Sequence, residues 1–271
     1  RVQDTRMTNP EIRSRVGRRL GVALCEEMAC PFCFCTMDKW GAHAECCMSG
    51  GDKTAAHHCT RNRLYIHARG AGTVPVLEAA DVLNVLGIPG VEGEGVGGGN
   101  TRSRERPADV LLCRAQEVRV GSAGGVAVGR IALDVGIVCP QAAVHLASAQ
   151  ESLGAAEAYS RTKCDRAQMA ERCRVAGVVF QPMIFESLGG VSVEAEGVIK
   201  SLNRMVAENQ DTPYGEVATR FWQRLSIDLQ RAGHRAFSRR VARGRDLEGE
   251  GMGVFTGSGA FLTEAEGSLH A

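Results

Sequence analysis

Near the start of the chain, apolar residues recur at every fourth position. Ile12, Val16 and Leu20 would line one face of a helix opening at Asn9-Pro10-Glu11, with a capping Asn, a proline in the first turn and an acid beside it, and running to about Leu24. A second helix is expected from about Lys53 to Ala68. Periodicity then disappears over residues 87–106, where glycines crowd the stretch from Gly87 to Asn100 and Arg102, Arg104 and Arg106 follow; this reads as a linker and as the main domain boundary. Beyond it the pattern becomes strand-like. Val110-Leu111-Leu112 and the run from Arg130 to Val138 are apolar strands, with Gly121 to Gly125 as the turn between them. Helical signals return over about 148–175, and 178–180 with 183–186 read as a further strand or pair. Two helices, about 192–208 and 214–243, close the chain before a Gly- and Glu-rich tail from Leu247. The expected units are therefore 1–86, the linker 87–106, a domain over 107–246, and the tail 247–271.

Composition narrows the picture only a little. The chain has 271 residues with 32 basic and 31 acidic side chains, so its net charge of +1 leaves room for a local basic patch without demanding one. No apolar run approaches the ~20 residues that span a bilayer, so no membrane partner is expected. The start, Arg1-Val-Gln-Asp, carries no apolar leader and no Met; a nuclear or intracellular, non-secreted piece of a longer polypeptide is the expectation.

Eleven cysteines change the picture more. The number is odd, which favours metal-bound and free thiols over a disulfide framework. Cys30, Cys33, Cys35, Cys46 and Cys47 cluster, and Cys30-x2-Cys33-x9-His43-x3-Cys47 offers three thiolates and an imidazole in two close pairs. That is the donor set of a tetrahedral structural zinc, with Asp38 to Gly41 as the turn between the pairs. Cys46 could stand in for Cys47 and Cys35 for Cys33. The bland alternative is a group of free cysteines beside a helix.

Downstream lie two carboxylates and a lysine. A hairpin turning near residue 122 pairs positions whose numbers sum to about 244, and Asp109 and Asp134 sum to 243. They would be cross-strand neighbours, close enough to share a Mg²⁺. Lys163 follows Tyr159 by one helical turn, so both face one side; its ammonium could stabilise charge on a phosphate under attack. Taken alone, the same residues are more simply a strand cap, a salt-bridge partner and a solvated helix lysine.

The order of these motifs resembles the C-terminal region of non-LTR retrotransposon polyproteins that carry a restriction-like endonuclease. Cys30, Cys33, His43 and Cys47 match the zinc knuckle that follows the reverse transcriptase there, and Gly50 to His57 match the stretch after it. Arg106-Pro-Ala-Asp109 matches the "PD" element, Leu133-Asp134 the second acid, and Tyr159 with Lys163 the lysine relocated onto a helix. Phe180-Gln-Pro-Met-Ile-Phe-Glu186-Ser-Leu-Gly-Gly190 matches the strand and glycine pair that follow. The chain departs from that pattern at Ala56-His57-His58, where Arg-His-Asn is usual, and at Gly136, where a PD-(D/E)XK strand carries its lysine. The resemblance implies an α/β fold of PD-(D/E)XK type, a mixed sheet flanked by helices and preceded by a helix and zinc knuckle. It implies Mg²⁺-dependent nicking of target DNA, with Asp109, Asp134, Lys163 and Tyr159 at the site and Glu157 or Glu186 as a further acid. The rival reading is a catalytically silent zinc-containing remnant that binds nucleic acid.

Two further features were weighed. Gly93-x-Gly95-x-x-Gly98 has the spacing of a dinucleotide fingerprint but lacks the following helix, and reads as linker. Arg231, Arg235, Arg239 and Arg243 recur at spacing four, opposite the apolar stripe Val217, Phe221, Leu225, Leu229, with no acid between 231 and 245. They form either a solvated face or a phosphate-contacting face for DNA or element RNA.

Overall fold

The computed structural model describes residues 5–79, 108–121 and 125–249. The linker, the fingerprint-like glycines and Arg106 lie outside the described residues, as do the turn at 122–124 and the tail from 250. Helix α1 (Asn9–Arg19) leads to a small two-stranded unit, β1 (Met28–Ala29) and β2 (Thr36–Met37), and a one-turn helix α2 (Ala42–Cys46). Next come the long helix α3 (Asp52–Gly70) and β3 (Pro75–Leu77), then β4 (Val110–Val120), β5 (Gly125–Val138), α4 (Gly154–Asp165), α5 (Met169–Val175), β6 (Val179–Glu186), α6 (Val193–Asn209) and α7 (Tyr214–Gly249).

Four strands form a mixed sheet in the order β3-β4-β5-β6. β4 and β5 are the expected antiparallel hairpin, while β6 is a single strand parallel to β5, reached through α4 and α5 as a βαβ crossover. The hairpin register runs Val110↔Leu133, then shifts twice toward the turn, to Ala115↔Gly129 and Val118↔Ala127. Gly129 sits in the first bulge at φ +108, a conformation open to glycine and strained for other residues.

Period-two alternation sorts the sheet's side chains. Val110, Leu112, Ile131, Leu133, Val135, Met183 and Phe185 pack with α3, α6 and α7 in the principal core, which includes Leu64, Leu202 and Phe221. Leu111, Ala132 and Phe180 face α5, and Val138 and Ile184 face Ala155 and Ala156 of α4. Each fully buried large side chain, such as Leu133 or Met183, contributes roughly 1.5–3 kcal/mol. Leu64 and Ala68 precede the linker yet share this core with the sheet, and β3 pairs with β4. The expected boundary therefore does not separate two packing units.

Helix α1 corrects the sequence expectation. Its cap is Thr8, one residue earlier than Asn9: Glu11 N donates to Thr8 Oγ1 and Thr8 N to Glu11 Oε2, a reciprocal capping box. It ends at Arg19, short of Leu24. The stripe Ile12, Val16, Leu20 faces outward, with Leu20 73% exposed, while Ser14, Arg15 and Arg18 are buried. The reason is a charge held inside. Glu45 of α2 is buried and accepts from Arg15 Nη1 at 2.5 Å and from Ser187 Oγ at 2.5 Å; Arg18 Nε lies 3.7 Å away, and Arg15 Nε also donates to Gln230 on α7 at 2.9 Å. A buried carboxylate must be paired, and Arg15 and Arg18 on this face of α1 supply its cations, so the polar face turns inward. Among the described residues, no helix is long and apolar enough to cross a membrane.

Candidate metal centre and carboxylate site

The loop over residues 28–50 is organised by hydrogen bonds rather than by a core. Cys30 N donates to Cys35 O and Phe34 N to Cys30 O, both at 2.8 Å, closing a tight turn around Cys33. Asp38 caps α2: one carboxylate oxygen accepts from Trp40 N and Ala42 N, each at 3.0 Å, and the other from His43 N at 2.8 Å. Burial works against the Asp38 carboxylate, but these three amides outweigh it and hold its pKa below the ordinary value. α2 then presents His43 and Cys47, one turn apart, to Cys30 and Cys33.

The ligand atoms of Cys30, Cys33, His43 and Cys47 all lie within 4.8 Å of one another, a cluster able to bind a metal such as zinc. Cys33 Sγ is 3.2 Å from His43 Nε2 and 3.6 Å from Cys47 Sγ. A tetrahedral zinc with Zn–S bonds of ~2.3 Å has S···S edges of about 3.8 Å, close to this separation. The alternative ligands are elsewhere. Cys35 is exposed, and Cys46 points away from the cluster, within hydrogen-bond reach of Cys139.

Around the cluster lies a buried ionic network. Asp52, the first residue of α3, accepts from Arg240 Nη1 at 2.8 Å and from Arg239 Nη1 at 2.7 Å. Arg240 is fully buried; it also donates to Ser49 O at 2.9 Å and Ala236 O at 2.8 Å, reaches Cys47, and stacks over Phe32. A cation against a thiolate-rich site offsets the excess negative charge of three Cys ligands. This divides the arginine stripe. Arg239 is spent on Asp52, and Arg231 on Glu11 and the Arg6 carbonyl. Arg235 and Arg243 remain exposed, Arg235 with its Nε 4.0 Å from Asp52 at the edge of the same network and Arg243 with its guanidinium over Phe32. The expected face of four arginines is therefore two outward residues and two that hold the fold.

The second site assembles where β4 begins. Asp109 precedes Val110 and donates its N–H to Leu133 O at 2.9 Å, so the next step of the register sets it beside Asp134. The two carboxylates are within hydrogen-bond reach of each other. Both project to the sheet face that α4 covers, and Lys163 Nζ sits 2.9 Å and 2.8 Å from the two oxygens of Asp134. Asp109 Oδ2 accepts from Val135 N at 2.7 Å and pairs with His57 Nε2 at 3.0 Å. Burial raises the Asp134 pKa, the Lys163 ammonium opposes it, and the Asp109 carboxylate adds to the rise. Burial also acts on Asp109, but the His57 hydrogen bond and charge, the Val135 amide and Lys163 prevail and lower its pKa.

Gly136 lets α4 pack closely against β5. A Cβ at Gly136 would meet Ile184 at 2.8 Å and the Tyr159 ring at 2.9 Å, so the space a strand side chain would occupy is filled by Tyr159. Tyr159 thereby anchors α4 against β5, and Lys163, one turn on with its Nζ 5.8 Å from the Tyr159 ring centroid, reaches the carboxylates. Of the further acids considered, Glu157 accepts from Val193 N at 2.8 Å and Glu186 lies against Gly190; neither joins the Asp109–Asp134 pair.

Sequence reasoning assigned no role to His57, Asp52 or Glu45. His57 lay in the motif stretch after the knuckle, which was its only signal. Asp52 lay in the same stretch, and Glu45 carried no signal, because its partners Arg15 and Ser187 are 30 and 142 residues away. No protein-family model, curated protein or solved structure matches the chain.

Proposed function

We propose that this chain is the target-DNA nicking region of a retrotransposon reverse-transcriptase polyprotein, a Mg²⁺-dependent endonuclease of PD-(D/E)XK type with a zinc knuckle. One observation carries the reading: Asp109, Asp134 and Lys163, from two strands and a helix, meet at one point on one sheet face. Two facing carboxylates with a cation beside them are the donor set expected of a magnesium–phosphate site. Asp109 and Asp134 would hold the ion, which when bound polarises a phosphate oxygen and makes water a better nucleophile at neutral pH.

The chain's own residues supply the rest. Lys163 rests on Asp134 in the free protein and can turn its ammonium to the charge that builds on a phosphate oxygen during attack. His57 and the Val135 amide fix the Asp109 carboxylate, so that its orientation does not have to be found at each turnover. Tyr159 holds α4 at the spacing that lets Lys163 reach. Zinc in the Cys30, Cys33, His43, Cys47 cluster is structural, since all four positions are protein ligands. Arg235 and Arg243 give a basic edge for the DNA backbone.

The test is plasmid nicking with Mg²⁺. Wild type should convert supercoiled to open-circular DNA. Asp134→Asn should abolish this, and Lys163→Ala should slow it by ~10²–10³, the usual cost of losing one transition-state charge partner, with DNA affinity nearly unchanged. Nicking by Asp134→Asn at the wild-type rate would reject the reading. Binding without nicking in wild type would favour a silent nucleic-acid-binding remnant.

A further inference from the structure

A cavity of about 290 Å³ opens beside the carboxylate site, between α2, α3, β5, α4 and α7. It exists because small residues face it. Ala56 of α3 and Ala232 and Ala236 of α7 leave space that longer side chains would fill, while Gly136 of β5 lets the Tyr159 ring lie against the strand as one wall. Its apolar wall is completed by Met48, Ile137 and Tyr159. Its remaining carboxylates are already neutralised within the fold, Glu45 by Arg15 and Asp52 by Arg239 and Arg240. Lys53 and His57, one turn apart on α3, and Lys163 also line it, His57 paired with Asp109 and Lys163 with Asp134.

The pattern is a mostly apolar slot with one aromatic side chain and basic side chains along part of its lining. The Tyr159 ring is held in place by contact with Gly136 and an edge-on approach to His145, with centroids 6.0 Å apart. Such a slot suits a flat apolar group tethered to an anion. A duplex is far too wide to enter it, whereas a single base with its phosphate at the rim matches both its size and its polarity. We infer that this cavity is a pocket for one unpaired nucleobase of the bound DNA strand, stacked on Tyr159 and bringing the adjoining phosphate to Lys53, His57 and Lys163. The inference rests on the nuclease reading for the identity of the strand, and it makes Tyr159 a recognition residue as well as an anchor. Base–aromatic stacking tolerates any sequence, so the pocket would favour locally unpaired DNA rather than a particular base.

The test uses a fluorescein-labelled single-stranded oligothymidylate carrying one 5-iodouracil, with the full chain bearing Asp134→Asn so that the probe is not cut. Irradiation should crosslink the iodouracil to the peptide containing Tyr159. Ala232→Phe, which fills the slot, should remove that crosslink, with an unchanged melting temperature showing that the variant folds. Should Ala232→Phe unfold the protein, Tyr159→Leu supplies the second measurement: fluorescence anisotropy should show roughly tenfold weaker binding, the size of one lost stack. Crosslinking confined to the Arg235–Arg243 face, a crosslink indifferent to Ala232→Phe in the folded variant, or unchanged affinity in Tyr159→Leu would overturn the pocket. Plasmid nicking by the wild-type chain is scored separately. A Tyr159 crosslink without nicking supports the pocket and removes the endonuclease; nicking without that crosslink does the reverse.

Discussion

The two charged centres of this protein are built on opposite plans. The cysteine–histidine cluster draws its ligands from residues 30 to 47, folded by a tight turn and the Asp38 cap, with almost no core of its own. The carboxylate site draws His57, Asp109, Asp134 and Lys163 from four elements that only the finished sheet and its helices bring together. The first is assembled by local hydrogen bonds within one stretch of chain; the second needs the rest of the structure before it can hold anything. α3 joins them, since Asp52 at its start holds Arg240 against the cluster and His57, little more than one turn later, holds Asp109.

Removing metal should separate the two plans most sharply. Structural zinc contributes ~10–16 kcal/mol in small sites, so chelation should strip hydrogen-exchange protection from residues 28–50. The amides of β4 and β5 should stay protected, because the principal core contains no residue from that segment. Equal loss in both regions would show one cooperative unit instead. Next in size is Asp52→Ala, which leaves the fully buried Arg240 and its neighbour Arg239 without their carboxylate. Urea unfolding should show a loss of about 3–5 kcal/mol, and the variant should release zinc more readily than wild type.

Acid provides a third contrast. His67 is half-buried against Phe221 and hydrogen-bonded to Asn203 at 2.8 Å; its loss of hydration pushes its pKa from 6.5 down to about 4. Between these values the unfolded chain takes up a proton that the folded chain refuses. Its contribution is therefore complete above pH 6.5 and lost progressively as the pH falls toward 4, amounting to about 3 kcal/mol. His67→Gln, which keeps a donor for Asn203, should flatten that part of the pH–stability curve. The effect should persist in metal-stripped protein, because His67 belongs to the core of the sheet and its helices and has no part in the cluster. The smallest expected effect concerns the outward arginines: Arg235→Ala and Arg243→Ala should each reduce the salt slope of DNA binding by ~1 and change stability by less than about 1 kcal/mol. Arg239→Ala, by contrast, should lower stability, since its charge is used inside.

Much of the cluster was legible because its spacing is local. Two pairs three or four residues apart can reach one ion whatever the remainder of the chain does. The choice of Cys47 over Cys46 was not legible, because it depends on which side of α2 meets Cys33 and which meets Cys139. The carboxylate pair was half legible. A sum of 243 held, but it held through two bulges that the apolar pattern does not show, and the shared face follows from Asp109 and Asp134 having the parity of Leu111 and Ala132. α1 was misread. Its apolar spacing is that of a buried stripe, yet a carboxylate from Glu45, about 30 residues away in the chain, decides its orientation.

By itself, then, the sequence set most of the longer helices and strands, the hairpin that places Asp109 near Asp134, and the Cys/His spacing of the candidate metal cluster, because each depends on periodicity or spacing within one stretch of chain. Tertiary structure alone decided which face of α1 is buried, which arginines of α7 remain free for a partner, that His57 touches Asp109, and that a cavity opens beside Tyr159. Those outcomes turn on where a charge or a space is left once distant elements meet. A buried carboxylate recruits whichever cation the fold brings near, and a slot forms where several small residues converge; neither leaves a mark in the local pattern.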